Sequence, residues 1–96
     1  MRNYKVEEIM KEFSYTVKDK VGIHARPAGL IVKLCKEFKS EIYIKKDEKE
    51  VKADKLIAIM SLGIKEGDTV TVFINGEDEE EALRTLVAAV ENGLGE

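Results

Sequence analysis

The sequence predicts a single α+β domain, an antiparallel sheet with its helices on one face. Three observations lead there. Apolar and polar residues alternate over Phe13–Lys18, Glu41–Lys45 and Thr69–Ile74, the two-residue period of half-buried strands. Apolar residues recur at helical spacing over Ile31–Phe38 and Ala82–Val90. The connections are short and polar, which favours hairpins and an α+β layer arrangement.

Residues 1–12 read as an N-terminal extension without a clear period, and residues 13–96 as the domain. In the first strand Phe13, Tyr15 and Val17 share one face, and Ser14, Thr16 and Lys18 the other. Asp19–Gly22 is a turn, with Gly22 able to take positive φ. The first helix opens within a residue or two of His24 and runs to about Phe38. Pro27, the only proline, belongs in its first turn, where a missing N–H is harmless. Ile31, Leu34, Cys35 and Phe38 form the core stripe. Glu41–Lys45 and Val51–Ala53 are the next strands, joined by a polar turn at Lys46–Glu50. A short helix over Lys55–Leu62 follows, with Asp54 as its N-cap and Gly63 just past its end. Lys65–Asp68 is a turn, and Thr69–Ile74 is a strand. In the last helix Ala82, Leu83, Leu86, Val87 and Val90 face inward, and Asn92-Gly93 stops it. Asp78 and Glu81 have capping-box spacing, and Glu77–Glu81 suit the positive end of the helix dipole. The order is therefore β-α-β-β-α-β-α.

A chain of 96 residues holds one core. Hydrophobic residues at 44% and charged residues at 36% give a globular balance. Sixteen Lys and Arg against 19 Asp and Glu leave a net charge of −3, which argues against binding nucleic acid over the whole surface. The few aromatics are scattered and Trp is missing, so no base-stacking platform is expected. A single Cys rules out an intrachain disulfide and a multi-cysteine metal site, and it fits a reducing compartment. No apolar run approaches the roughly 20 residues of a membrane span. Nor do the first residues carry the apolar stretch of a signal peptide. A cytoplasmic protein without membrane insertion is expected.

Gly22-Ile23-His24-Ala25-Arg26-Pro27-Ala28 is the stretch that carries chemistry. A His just before a helix sits among unpaired backbone N–H groups, here those of Ala25 and Arg26, and these with the dipole make an anion site. Arg26 adds a fork of donors suited to phosphate. A neutral imidazole nitrogen is a nucleophile near neutral pH. The parts suit a transient phosphohistidine better than hydrolysis, since no general base or metal-ligand set stands nearby in sequence. A His at a helix start is more often a plain cap or a surface residue, so the residues alone leave both readings open.

Leu56-Ile57-Ala58-Ile59-Met60-Ser61-Leu62 is the second informative stretch. A helix this short buries one stripe, yet its apolar residues cover more than one. Leu56, Ile57 and Met60 share a flank and are expected to stay exposed as a partner surface, unless the N-terminal extension covers them. Cys35 lies on the core stripe and is expected to be inert. Glu77–Glu81 reads as a solvated helix start, and Lys5, Lys33 and Lys36 as surface charges. Lys33 and Lys36 also follow His24 on its helix, where they could meet an acidic partner.

Through Gly22–Ala28, Met60-Ser61-Leu62-Gly63-Ile64, the closing Gly93-Leu94-Gly95-Glu96 and the element order, the chain resembles the HPr family from about Phe13 to Glu96. These are the histidine-containing phosphocarriers of the phosphoenolpyruvate-dependent sugar phosphotransferase system. The resemblance implies an open-faced β-sandwich, a four-stranded antiparallel sheet with three helices on one face. It implies that His24 accepts a phosphoryl group on Nδ1 from phosphorylated enzyme I and passes it to enzyme IIA components of sugar transporters. Arg26 takes the place of the family's active-site arginine, and Ala25 supplies helix-start backbone. Leu56, Ile57 and Met60 fall at apolar docking positions, with Gly29 and Lys33 beside them. No metal or bound cofactor is implied, and a monomer is expected, acting as a stoichiometric relay and not as a turnover enzyme.

One departure bears on regulation. Relatives from low-GC Gram-positive bacteria carry a regulatory serine at the start of the second helix, where this chain has Lys55. Ser61 lies at the other end of that helix and does not inherit the role. Two other readings stay open: a regulatory paralogue that signals through His24 to transcriptional regulators, and an adaptor that binds through the apolar patch independently of His24.

Overall fold

The computed structural model describes residues 11–18, 20, 22–23 and 25–93. Its elements are β1 (Lys11–Thr16), α1 (Ala25–Cys35), β2 (Glu41–Lys46), β3 (Lys49–Lys52), α2 (Leu56–Ser61), β4 (Thr69–Asn75) and α3 (Glu79–Glu91), in the expected order. The strands form one antiparallel sheet, β1-β4-β2-β3.

The alternation becomes two unlike sheet faces. On the inner face Ile44 lies between Val72 and Val51, Ile74 pairs with Ile42, and Val72 pairs with Phe13. Onto this row each helix lays its own stripe: Ala28, Ile31 and Cys35 from α1, Ile59 from α2, and Ala82 and Leu86 from α3. The result is one hydrophobic core under an open-faced sandwich. Among the described residues, no helix packs on the outer face. There Ser14 and Thr71 share a hydroxyl hydrogen bond of 2.8 Å, Thr16 and Thr69 one of 3.0 Å, and Tyr43 lies beside Phe73.

Several boundaries differ from expectation, each for a local reason. β1 starts at Lys11, because its ladder with β4 continues to Ile74. α1 ends at Cys35, not near Phe38: Glu37 and Phe38 turn their N–H groups to Leu34 and Cys35, the tighter three-residue closure that finishes a helix. β3 covers Lys49–Lys52, leaving only Asp47 and Glu48 as the hairpin loop. Asp47 takes a φ of 55°, a conformation that aspartate tolerates better than most residues.

Neither expected carboxylate makes a side-chain cap bond. The N-cap of α2 is Lys55, not Asp54, and it makes no side-chain cap bond. Asp78 is the N-cap of α3, but its carboxylate caps nothing within that helix. It accepts instead from Lys39 N at 2.8 Å, from Ser40 N at 2.9 Å and from the Ser40 hydroxyl. The reach back to a backbone N–H comes from Glu79, which accepts from Gly76 N at 3.1 Å, and not from Glu81. Gly76 lies against Ser40 so closely that a Cβ would collide with it. At the far end of α3, Ala89 rather than Val87 joins Leu83 and Val90 against the core.

Candidate functional site

The loop before α1 is built from glycine geometry and borrowed backbone. Gly22 takes φ +79°, and a Cβ there would overlap the Ile64 carbonyl and lie 2.8 Å from Lys65 Cα. Ile23, itself buried, donates its N–H to the Ile64 carbonyl at 3.1 Å. Gly22 and Ile23 are thus pressed onto the segment after α2, and α1 begins at Ala25. His24, between them in sequence, lies outside the described residues. So do residues 1–10, Asp19, Val21 and residues 94–96.

The first turn of α1 suits an anion. It contains Arg26 and no acidic residue, whereas α3 opens with Glu79, Glu80 and Glu81. The positive end of the α1 dipole therefore has no carboxylate from its own first turn. Pro27 is buried in that turn, where its lack of an N–H costs no hydrogen bond. Ala25 and Arg26 are exposed.

α1 packs beside α2, which brings the two expected surfaces onto neighbouring helices. Ile57 is 77% exposed, and Leu56 and Met60 are exposed beside it, while Ile59 between them is fully buried. On α1, Lys33 is exposed, and a Cβ on Gly29 would meet nothing within 4 Å. Cys35 is buried, and burial, with the Asp54 charge adding to it, pushes its thiol up to about 12, as expected of an inert core cysteine.

Lys46 and Asp68, which the sequence places only in turns, join in the structure beneath the loop before α1. Lys46 continues the inward series Ile42, Ile44 on β2, and a lysine at an inward strand position was the available signal. Its ammonium donates to the carbonyls of Gly63 at 3.0 Å and Leu62 at 3.4 Å, and pairs with Asp68 Oδ2 at 3.1 Å. Asp68 Oδ2 also accepts from Lys65 N at 2.8 Å. That backbone bond first, and Lys46 second, hold the Asp68 carboxyl below its ordinary value.

The family model described as the PTS HPr component phosphorylation site matches residues 11–92. The chain belongs to the HPr family. It is 45% identical over 82 residues to the HPr-like protein Crh of Halalkalibacterium halodurans, covering 85% of this chain and 98% of that one. To the phosphocarrier protein HPr of Mycoplasma pneumoniae it is 45% identical over 83 residues, covering 85% and 94%. The crystal structure of HPr-C-His from Thermoanaerobacter tengcongensis superposes with a TM-score of 0.84 at 44% identity, over 90% of this chain and 97% of that one. The fold and the family are those of an HPr phosphocarrier, a carrier protein and not a catalytic enzyme. Among the described residues, no helix is long and apolar enough to cross a membrane.

Proposed function

We propose that this HPr-family chain relays a phosphoryl group through His24 in sugar uptake. The observation that carries the reading is the start of α1: a first turn that holds Arg26 and no acidic residue of its own, on a helix packed beside the exposed apolar flank of α2. The neutral Nδ1 of His24 uses its lone pair to form a bond to phosphorus. The bond from phosphorus to enzyme I breaks, and its electron pair leaves with enzyme I. Backbone N–H groups of Ala25 and Arg26, with the Arg26 guanidinium, take up the phosphoryl charge. The site is an open helix end, so the group can leave again to an enzyme IIA domain. Leu56, Ile57 and Met60, with Gly29 and Lys33, receive both partners.

The test is phosphoenolpyruvate-dependent labelling by purified enzyme I, read by intact mass and acid lability. Wild type should gain an acid-labile phosphoryl group, His24→Ala should gain none, and Arg26→Ala should gain it slowly. Labelling that survives in His24→Ala would end the proposal.

Lys55 and the likeness to Crh favour a second reading, a regulatory paralogue whose phosphorylated His24 addresses a transcriptional regulator. Labelled protein that fails to phosphorylate any enzyme IIA would support it. The Thermoanaerobacter tengcongensis HPr has also been crystallised as a dimer, and light scattering will distinguish that form from the monomer proposed for this chain.

A further inference from the structure

We infer that Lys46 is a positioning residue for phosphoryl transfer at His24, acting through the backbone of residues 62–68. The inference rests on the phosphocarrier reading above and adds to it a group that touches neither phosphate nor partner in that scheme.

Lys46 ends β2 on the inner side of the sheet, and its side chain is only 20% exposed. An ammonium has three donors and no acceptor. Here they meet the Leu62 carbonyl, the Gly63 carbonyl and Asp68 Oδ2. The two carbonyls stand at the C-terminal end of α2, where the helix dipole also favours a cation. Asp68 Oδ2 in turn accepts from Lys65 N. One cation thus ties the beginning and the end of the segment from Leu62 to Asp68.

The middle of that segment is the seat of the His24 loop. The Ile64 carbonyl receives the Ile23 N–H, and Gly22 fits against Ile64 and Lys65 with no room for a Cβ. Ile23 is the chain neighbour of His24, and α1 starts at the residue after it. The path from the ammonium to the nucleophile is therefore Lys46, the 62–68 backbone, Ile23, His24. Removing the ammonium leaves two carbonyls and a carboxylate without their shared donor. The seat can then drift, and small misplacement of a nucleophile lowers rate far more than it lowers binding.

The experiment measures labelling rate against phospho-enzyme I concentration for wild type, Lys46→Met, Lys46→Arg and Asp78→Asn. Alongside it, hydrogen exchange of the Ile23 amide is followed by NMR. Lys46→Met should lose on the order of tenfold in maximal rate with KM little changed. Its Ile23 amide should exchange faster by a similar factor. Lys46→Arg should recover most of both. Asp78→Asn, which weakens the opposite end of the domain, should label like wild type while folded.

A wild-type maximal rate in Lys46→Met, or a loss confined to KM, would overturn the inference. If Lys46→Met does not fold, Asp68→Asn, which cuts one arm of the tie, is read by the same criteria. If wild type itself takes no label, the phosphocarrier reading falls. Ile23 exchange then decides alone, and an unchanged rate in the Lys46 variant overturns the positioning role.

Discussion

Asp78 and Ser40 stand 38 positions apart and are joined twice, through the Ser40 N–H and through its hydroxyl, both given to the same carboxylate oxygen. The other oxygen accepts from Lys39 N. The Ser40 hydroxyl first, and the Lys39 N–H second, hold the Asp78 carboxyl below its ordinary value. In the fold this group therefore binds fewer protons than in the unfolded chain. Its stabilisation is present above the ordinary value of 3.8 and is lost as pH falls through the lower folded-state value. Asp68 contributes with the same sign. Urea unfolding over a pH series should show stability falling on the acid side, and Asp78→Asn should make that fall shallower. An equally steep fall in the variant would contradict this account.

Ile57 and Ile59 are near neighbours on one helix with opposite expected consequences. Ile59→Ala empties a fully buried position and should cost about 2–5 kcal/mol. Ile57→Ser alters a side chain that is 77% exposed and should shift stability by no more than about 0.5 kcal/mol. The same Ile57→Ser change should raise the KM for phospho-enzyme I. Denaturant midpoints and labelling kinetics check the pair together.

Two glycines near the site should respond in opposite directions. Gly22→Ala forces a Cβ into the Ile64 carbonyl at positive φ and should cost roughly 2 kcal/mol or more. It should also slow labelling. Gly29→Ala adds a Cβ to open space within α1 and should stabilise by about 0.5–1 kcal/mol. Thermal unfolding of both variants tests the contrast.

Lys55 occupies an N-cap with an extended backbone, φ −119° and ψ 106°, and gives it no side-chain acceptor. It also sets a cation at the positive end of a helix. Lys55→Ser should stabilise the protein by about 1 kcal/mol, measured by denaturant unfolding. Wild type should pass through treatment with an HPr kinase unmodified; a phosphoserine found by mass spectrometry would refute that expectation.

What could be read from the chain was what local periodicity encodes. The alternation in Thr69–Ile74 and the burial of Ile59 beside exposed Ile57 follow from side-chain spacing along one element. The course of Asp78 could not be read that way. A carboxylate three residues before Glu81 looks like a cap in one dimension, but folding brings Lys39 and Ser40 N–H groups to it, and those donors win. Lys46 was hidden for the same reason. As a turn residue it looks solvated, and only the arrival of α2 over the sheet shows what its ammonium holds. The candidate site is legible from its supports: the Gly22–Ile23 seat, the α1 start and the α2 flank.

The pairing of β1 with β4 has a consequence for how the protein comes to exist. Thr16 meets Thr69 across 53 positions of chain, and the other β1 pairs are wider still. β2 and β3 can close on each other as soon as they emerge from the ribosome. β1 cannot, and at ribosomal speeds it waits roughly 3–10 s for its partner. An early strand is thus a late arrival, and its unpaired edge is what a chaperone would meet on the nascent chain.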